Sequence, residues 1–194
     1  VQKFTRDGKF LLSIGEHGIG DGQFDMPWGI SVDQLGNLYV ADWRNDRIQK
    51  FDQEGNFIIS LGSSGSEKGQ FKRPTSVTVD NHGDIYVSDA ENDRVQLFNK
   101  DLKYIQSFHG NATLSPSGQQ YILANAVTLR LRSMADFEKT QRLDAPMMVK
   151  VDDEFRLFIL DYGNHRIQIY KKDAVELSKE QIAPEMRNPI LFTT

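Results

Sequence analysis

The chain has 194 residues, of which 39% are hydrophobic and 26% charged, with no cysteine and a formal net charge of −4. That composition belongs to an ordinary globular protein; it excludes a disulfide framework, a CxxC redox pair and any thiolate metal site, and its acidic balance disfavours a basic-groove nucleic-acid binder or an anionic-membrane binder. No apolar run approaches the roughly 20 residues of a membrane helix, and Val1-Gln2-Lys3-Phe4 is no signal-peptide core; extracytoplasmic and cytoplasmic settings are both allowed.

In chain order, the first readable feature is a repeat. Gly22 to Phe51 and Gly69 to Phe98 lie 47 residues apart and share 15 of 30 residues. The same offset run backwards places Val1-Gln2-Lys3-Phe4 on Ile48-Gln49-Lys50-Phe51 and Gly8, Phe10, Gly15 and Gly18 on Gly55, Phe57, Gly62 and Gly65. Residues 1–21 therefore read as the last strands of a truncated unit. Residues 22–68 form the best copy: a strand from Gly29 to Val32, a turn over Gln34-Leu35-Gly36-Asn37, and an apolar strand Leu38 to Ala41 suited to burial on both faces. A polar loop Asp42 to Asp46, a strand Arg47 to Phe51, a turn at Asp52-Gln53-Glu54-Gly55 and a strand Phe57 to Leu61 complete it. Four short strands at this period, with glycine-marked turns, predict a propeller blade. Residues 69–110 repeat that plan, with a last strand from Leu102 to Phe108.

A third copy follows 72 residues on, 25 more than the first spacing. The extra length falls in residues 111–142, where Ser115-Pro116-Ser117 suits a helix start and Leu123, Val127, Leu131 and Met134 mark one helical face. This segment is expected to be a helical insertion, either a lid over one opening of the ring or a helix packed on its rim. Residues 143–172 are the third copy, with Asp153-Glu154-Phe155 where the others carry glycine. Residues 173–194 leave the repeat, with Pro184 and Pro189 favouring an extended tail.

The pattern Pro-x-x-(Ile/Val)-x-Val-Asp-x-x-Gly-(Asn/Asp)-(Leu/Ile)-Tyr-Val-(Ala/Ser)-Asp-x-x-Asn-(Asp/His)-Arg-(Ile/Val)-Gln-x-Phe resembles the NHL repeat. The resemblance implies an all-β, six-bladed propeller, of which about three and a half four-stranded blades are present here, the rest of the ring being an implied partner. Members of that family include RNA-binding TRIM-type regulators, receptor-kinase sensor domains and a peptidyl-hydroxyglycine amidating lyase, so fold does not give function.

The repeats serve as internal controls. Asp42, Asp89 and Asp161, each followed five residues later by Arg47, Arg94 or Arg166, are read as hairpin braces rather than catalytic carboxylates, because every copy has them. Gln49, Gln96 and Gln168 are read as blade-to-blade hydrogen-bonding residues. Candidate binding residues are those that vary on the face shared by the loop between strands two and three and by the connection between blades: Trp28, Trp43, Arg44 and Asn45; Thr75, Glu91 and Asn92; Met147, Tyr162, Asn164 and His165. Trp28 and Trp43 are the strongest binding hint, since aromatic side chains give large contact area at low entropic cost; their alternative role is to plug the channel. No catalytic or metal-binding residue is assigned. The histidines His17, His82, His109 and His165 lack metal-ligand spacing, no cofactor is expected, and zinc or calcium would require ligands from outside these residues. The expectation is a non-enzymatic platform for a protein, peptide or small ligand. A metal-dependent lyase or hydrolase of the amidating-lyase or lactonase type is the alternative. RNA binding through Arg44, Lys68, Lys72 and Arg73 comes third, diluted by Asp21, Asp25 and Glu91. The isolated chain is expected to aggregate or to pair with a second half, because its end blades lack neighbours.

Overall fold

The computed structural model describes residues 1–110 and 142–172. The expected helical insertion and the extended tail therefore lie outside the described residues. Within them the secondary structure is β-strand, apart from two single 3-10 turns, and no helix is long and apolar enough to cross a membrane.

Four antiparallel sheets follow the repeats. Sheet A is the hairpin β1 (Gln2–Phe4) and β2 (Phe10–Ser13). A short parallel pair, β3 (Glu16–His17) with β4 (Gln23–Phe24), folds the connection back on itself. Sheet B runs in chain order through β5 (Pro27–Val32), β6 (Leu38–Asp42), β7 (Arg47–Phe51) and β8 (Phe57–Leu61). Sheet C repeats it with β9 (Pro74–Val79), β10 (Ile85–Asp89), β11 (Arg94–Phe98) and β12 (Tyr104–Phe108). Sheet D has β13 (Pro146–Val151), β14 (Arg156–Asp161) and β15 (Arg166–Lys171).

Two strand starts differ from expectation. The first strand of sheet B begins at Pro27 rather than Gly29, and the last strand of sheet C begins at Tyr104 rather than Leu102. In the first case proline supplies extended φ at an edge where no donor is needed, and a bulge between Pro27 and Ile30 breaks the alternation that would have revealed the strand. In the second, Leu102 takes φ +62° inside an Asn99 turn, whose side chain accepts the Asp101 and Lys103 N–H groups.

Each sheet buries its faces against the next. Tyr39, Ala41 and Ile48 of sheet B close on Phe71, Val77, Ile85, Val87 and Phe98 in sheet C and the connection before it. Tyr86 and Val95 of sheet C close in turn on Val149, Leu157 and Ile159 of sheet D. On the other side of sheet B, Leu38, Val40 and Phe51 pack with Ile14 and Phe24. At roughly 1.5–3 kcal/mol for each fully buried large apolar side chain, these interfaces rather than the hairpins hold the array.

The connections are also repeated. Ser64 bridges Phe71 in parallel, 47 residues after the β3 to β4 pair. Gly62 has φ +91°, and a Cβ there would run into the Phe71 ring, so this tight closure after the last strand requires glycine. At the opposite end of the sheets, the turns touch in a relay. Gln34 donates to Asn81 at 2.8 Å and Asn81 to Asp153 at 3.4 Å, while Lys172 Nζ reaches Asp80 at 2.7 Å and Asp84 at 2.6 Å.

Candidate functional site

The repeated polar residues converge on one buried carboxylate per sheet. Asp89, fully buried, accepts the Lys72 N–H at 2.7 Å, Asn92 Nδ2 at 3.0 Å, Arg94 Nε at 2.7 Å and Gln96 Nε2 at 3.1 Å. Asp42 gathers the Asp25 N–H, Asn45, Arg47 and Gln49 in the same way, and Asp161 gathers the Asp144 N–H, Asn164, Arg166 and Gln168. The brace also grips the incoming connection: Arg94 donates to the carbonyls of Ser66, Glu67 and Gln70, and Gln96 Oε1 accepts from Gly69 N–H. Gln49 does likewise with Gly22 N–H and the Gln23 carbonyl. Gln168 instead accepts from Tyr170 Oη within its own sheet.

Asn45, Asn92 and Asn164 are thus committed to the scaffold. Besides their aspartates they donate to the carbonyls of Gly18, Gly65 and Arg142. Thr75 is only 2% exposed and donates to the Pro146 carbonyl between sheets C and D. These four vary or recur on the expected face, but their polar atoms face inward.

The remaining candidates sit where two loops are bonded together. Trp43 N–H and Arg44 N–H donate to the carbonyls of Met26 and Asp25, and Glu91 N–H to that of Lys72, which fixes the 3-10 turns Trp43–Asn45 and Ala90–Asn92 beside the entry to their own sheets. Here Trp28 and Trp43 lie with ring centroids 5.4 Å apart at 44°. The Arg73 guanidinium covers Trp43 at 4.7 Å and donates to the Arg44 carbonyl at 2.9 Å. An aromatic and cationic stack therefore spans the junction of sheets B and C. Trp28 is 52% exposed, whereas its counterpart Thr75 is covered.

The charges around this stack are paired. Arg44 lies 3.7 Å from Asp25, and Lys72 lies 3.2 Å from Glu91. Met147 is half-buried, and Tyr162 and His165 are exposed on sheet D. Among the described residues no group of three His, Asp or Glu side chains is disposed to hold a metal.

Sequence reasoning missed one device. Asp46 and Asp93 take left-handed conformations, at φ +53° and +51°, and accept the N–H of Arg73 and Ala145 at the entry of the next sheet, at 2.8 and 2.9 Å. Arg73 and Ala145 are themselves left-handed. The signal was the aspartate repeated between Asn and Arg at 45–47 and 92–94, replaced by His165 in sheet D.

Comparison with known proteins agrees with this wiring. The NHL repeat pattern matches residues 24–51 and 71–98. The protein lin-41 of Caenorhabditis elegans is 50% identical over 38 residues, covering 20% of this chain and 3% of the relative. The E3 ubiquitin-protein ligase TRIM71 of Rattus norvegicus is 50% identical over 38 residues, covering 20% and 4%. The chain thus matches only a small part of these relatives. Among solved structures, a streptogramin B lyase superposes with a TM-score of 0.50 at 14% identity, covering 89% of this chain and 48% of the lyase, a likeness of fold alone. Sheet D, outside the matched residues, has the same Asp–Asn–Arg–Gln brace, so the chain carries NHL repeats at residues 24–51 and 71–98 and a third unit wired in the same way.

Proposed function

We propose that the chain is part of a six-bladed propeller and serves as a non-enzymatic recognition platform. Its ligand is a protein or peptide, bound on the loop face around Trp28, Trp43 and Arg73. The observation that carries this reading is the stack itself: two aromatic rings and a guanidinium held across two sheets, on a scaffold whose recurring Asp, Asn, Arg and Gln residues are occupied by the brace. Such groups give contact area and directional bonding with little entropy left to lose. The neighbouring cations are already paired with carboxylates, so the patch offers an anionic polymer little net charge. The test is selection of peptides from a random display library on the immobilised chain, followed by affinity measurement against Trp43→Ala and Arg73→Ala. Each is expected to weaken selected peptides by at least about tenfold, about 1.4 kcal/mol, more than most interface side chains contribute. Wild-type affinity in both variants, with unchanged thermal stability, contradicts the reading.

A further inference from the structure

Arg73 stands where the backbone is fixed and the side chain is free to vary. Met26, Arg73 and Ala145 hold the same place at the entries of sheets B, C and D, and all three are left-handed, at φ +58°, +54° and +46°. Glycine would serve that conformation best. Asp46 and Asp93 impose it on Arg73 and Ala145 by accepting their N–H groups. The clamp works with alanine, so it makes no demand for a guanidinium.

The charge of Arg73 is also left without a bonded carboxylate. In the braces, Arg47, Arg94 and Arg166 lie 2.9, 2.7 and 2.7 Å from their aspartates. Arg73 Nη1 lies 3.8 Å from Asp46 Oδ1, beyond hydrogen-bonding range. Asp46 is occupied elsewhere: Oδ1 accepts the Arg73 N–H at 2.8 Å, and Oδ2 accepts the Ser64 hydroxyl at 2.7 Å. The guanidinium donates from Nη1 to the Arg44 carbonyl and lies over the Trp43 ring. Nε and Nη2, whose N–H groups run parallel along one edge, have no partner among the described residues, and the side chain is 33% exposed. That edge is the fork that takes a carboxylate through two parallel bonds. Stacking on Trp43 and the bond to Arg44 fix its plane beforehand, so little freedom is lost on binding.

The surroundings choose between anions. Arg44, Lys72 and Arg73 are balanced by Asp25, Asp46 and Glu91, three cations against three carboxylates. A chain of phosphates meets no net field here, whereas a single carboxylate meets a single unpaired fork. Beside the fork, Trp28 is 52% exposed. The guanidinium lies 4.7 Å from the Trp43 centroid, and the Trp28 centroid 5.4 Å from it. An extended peptide bridges such distances with side chains two residues apart on one face, about 7 Å between their Cα atoms.

We propose that the ligand of this face is an acidic peptide: an aspartate or glutamate carboxylate binds the Nε–Nη2 edge of Arg73, and a proline or apolar side chain two residues away covers Trp28. This rests on the loop face being a peptide site and adds which peptides it takes.

The probes are short peptides capped at both ends and made in pairs, one with glutamate two residues from a proline or leucine, the other with glutamine in its place. Their affinities are measured on the immobilised chain and on its Arg73→Lys and Trp43→Ala variants. The glutamate members are expected to bind the unaltered chain at least about tenfold more tightly than their partners. Arg73→Lys keeps the charge but loses the fork, and is expected to abolish that difference at an unchanged melting temperature. A preference for glutamate that survives in Arg73→Lys overturns the proposal, because charge alone then suffices. So does equal binding of the two members, or binding of neither. A short single-stranded RNA that binds more tightly than the glutamate peptides, and loses its affinity in Arg73→Lys, overturns it by giving the fork to phosphate. Equal binding of both members that Trp43→Ala weakens leaves the peptide site standing without the fork; peptide affinity unchanged in Trp43→Ala removes the site itself.

Discussion

Asp89 and Asp161 hold the same brace but sit in different surroundings. Burial raises Asp89 above the ordinary carboxylate value in spite of its donors. Burial also acts on Asp161, but the Asp144 N–H, Arg166, Asn164 and Gln168 outweigh it and hold the group below 3.8. The linkage signs are therefore opposite. A depressed carboxylate contributes stability at neutral pH that is lost as the pH falls below about 3.8. A raised one binds its proton more readily folded than unfolded, so acid does not remove stability through it. Urea midpoints measured between neutral pH and about pH 3 are expected to fall for the wild type, less for Asp161→Asn, and more for Asp89→Asn, which lacks the group that gains stability on protonation. A steeper acid loss in Asp161→Asn contradicts this. At neutral pH, Asp89→Ala strands Arg94, Asn92 and Gln96 and is expected to cost about 3–5 kcal/mol, the usual result of breaking a buried pair, read from the same urea curves. The Asp-x-x-Asn-x-Arg-x-Gln spacing made this brace legible in sequence, because recurrence in every unit marks a structural demand. Asp46 and Asp93 were not legible as clamps. The aspartate itself recurs in the sequence, but its partners are main-chain N–H groups 27 and 52 residues away, which the recurrence does not name.

At the scale of the element, the connection that closes sheet B depends on glycine for two separate reasons. Gly62 and Gly69 both have positive φ, but only at Gly62 would a Cβ meet the Phe71 ring; around Gly69 there is open space. Gly69→Ala is expected to cost about 1 kcal/mol, the conformational part alone, and Gly62→Ala about 1–3 kcal/mol more through overpacking. Equal midpoints for the two variants would show that Phe71 moves freely. The strands were legible because β6, β10 and their partners alternate or run apolar as buried strands do. The start of β5 was hidden by its bulge. The 3-10 turns were hidden too, since Trp43-Arg44-Asn45 and Ala90-Glu91-Asn92 share neither polarity nor size, and the bonds that set them come from the preceding connection. For the candidate site, the sequence marked loops, and the structure brings Trp28 and Trp43 of those loops together. It gave Asn45, Asn92, Asn164 and Thr75 equal standing with the tryptophans because the direction of a side chain depends on its neighbours.

At the scale of the molecule, the two outer faces of the array expose apolar side chains among the described residues. On sheet B, Ile30 is 58% exposed where its counterpart Val77 is 2% exposed, because sheet A supplies only two strands opposite it. On sheet D the outer face is bare among the described residues. Together these exceed the scattered apolar exposure of an ordinary surface, and light scattering of the chain in isolation is expected to show concentration-dependent growth without a discrete stoichiometry. Ile30→Asp combined with Ile167→Asp is expected to suppress that growth. A chain that stays monodisperse over the same concentration range contradicts it. Both tryptophans of the chain belong to the loop-face stack, so intrinsic tryptophan fluorescence reports that site with no other contribution. The most direct measurement is a fluorescence titration of the chain with a display-selected peptide. A saturable change that follows the binding curve, and that Arg73→Ala weakens at unchanged melting temperature, is the expected result; binding that saturates while the fluorescence stays constant would contradict recognition at this face.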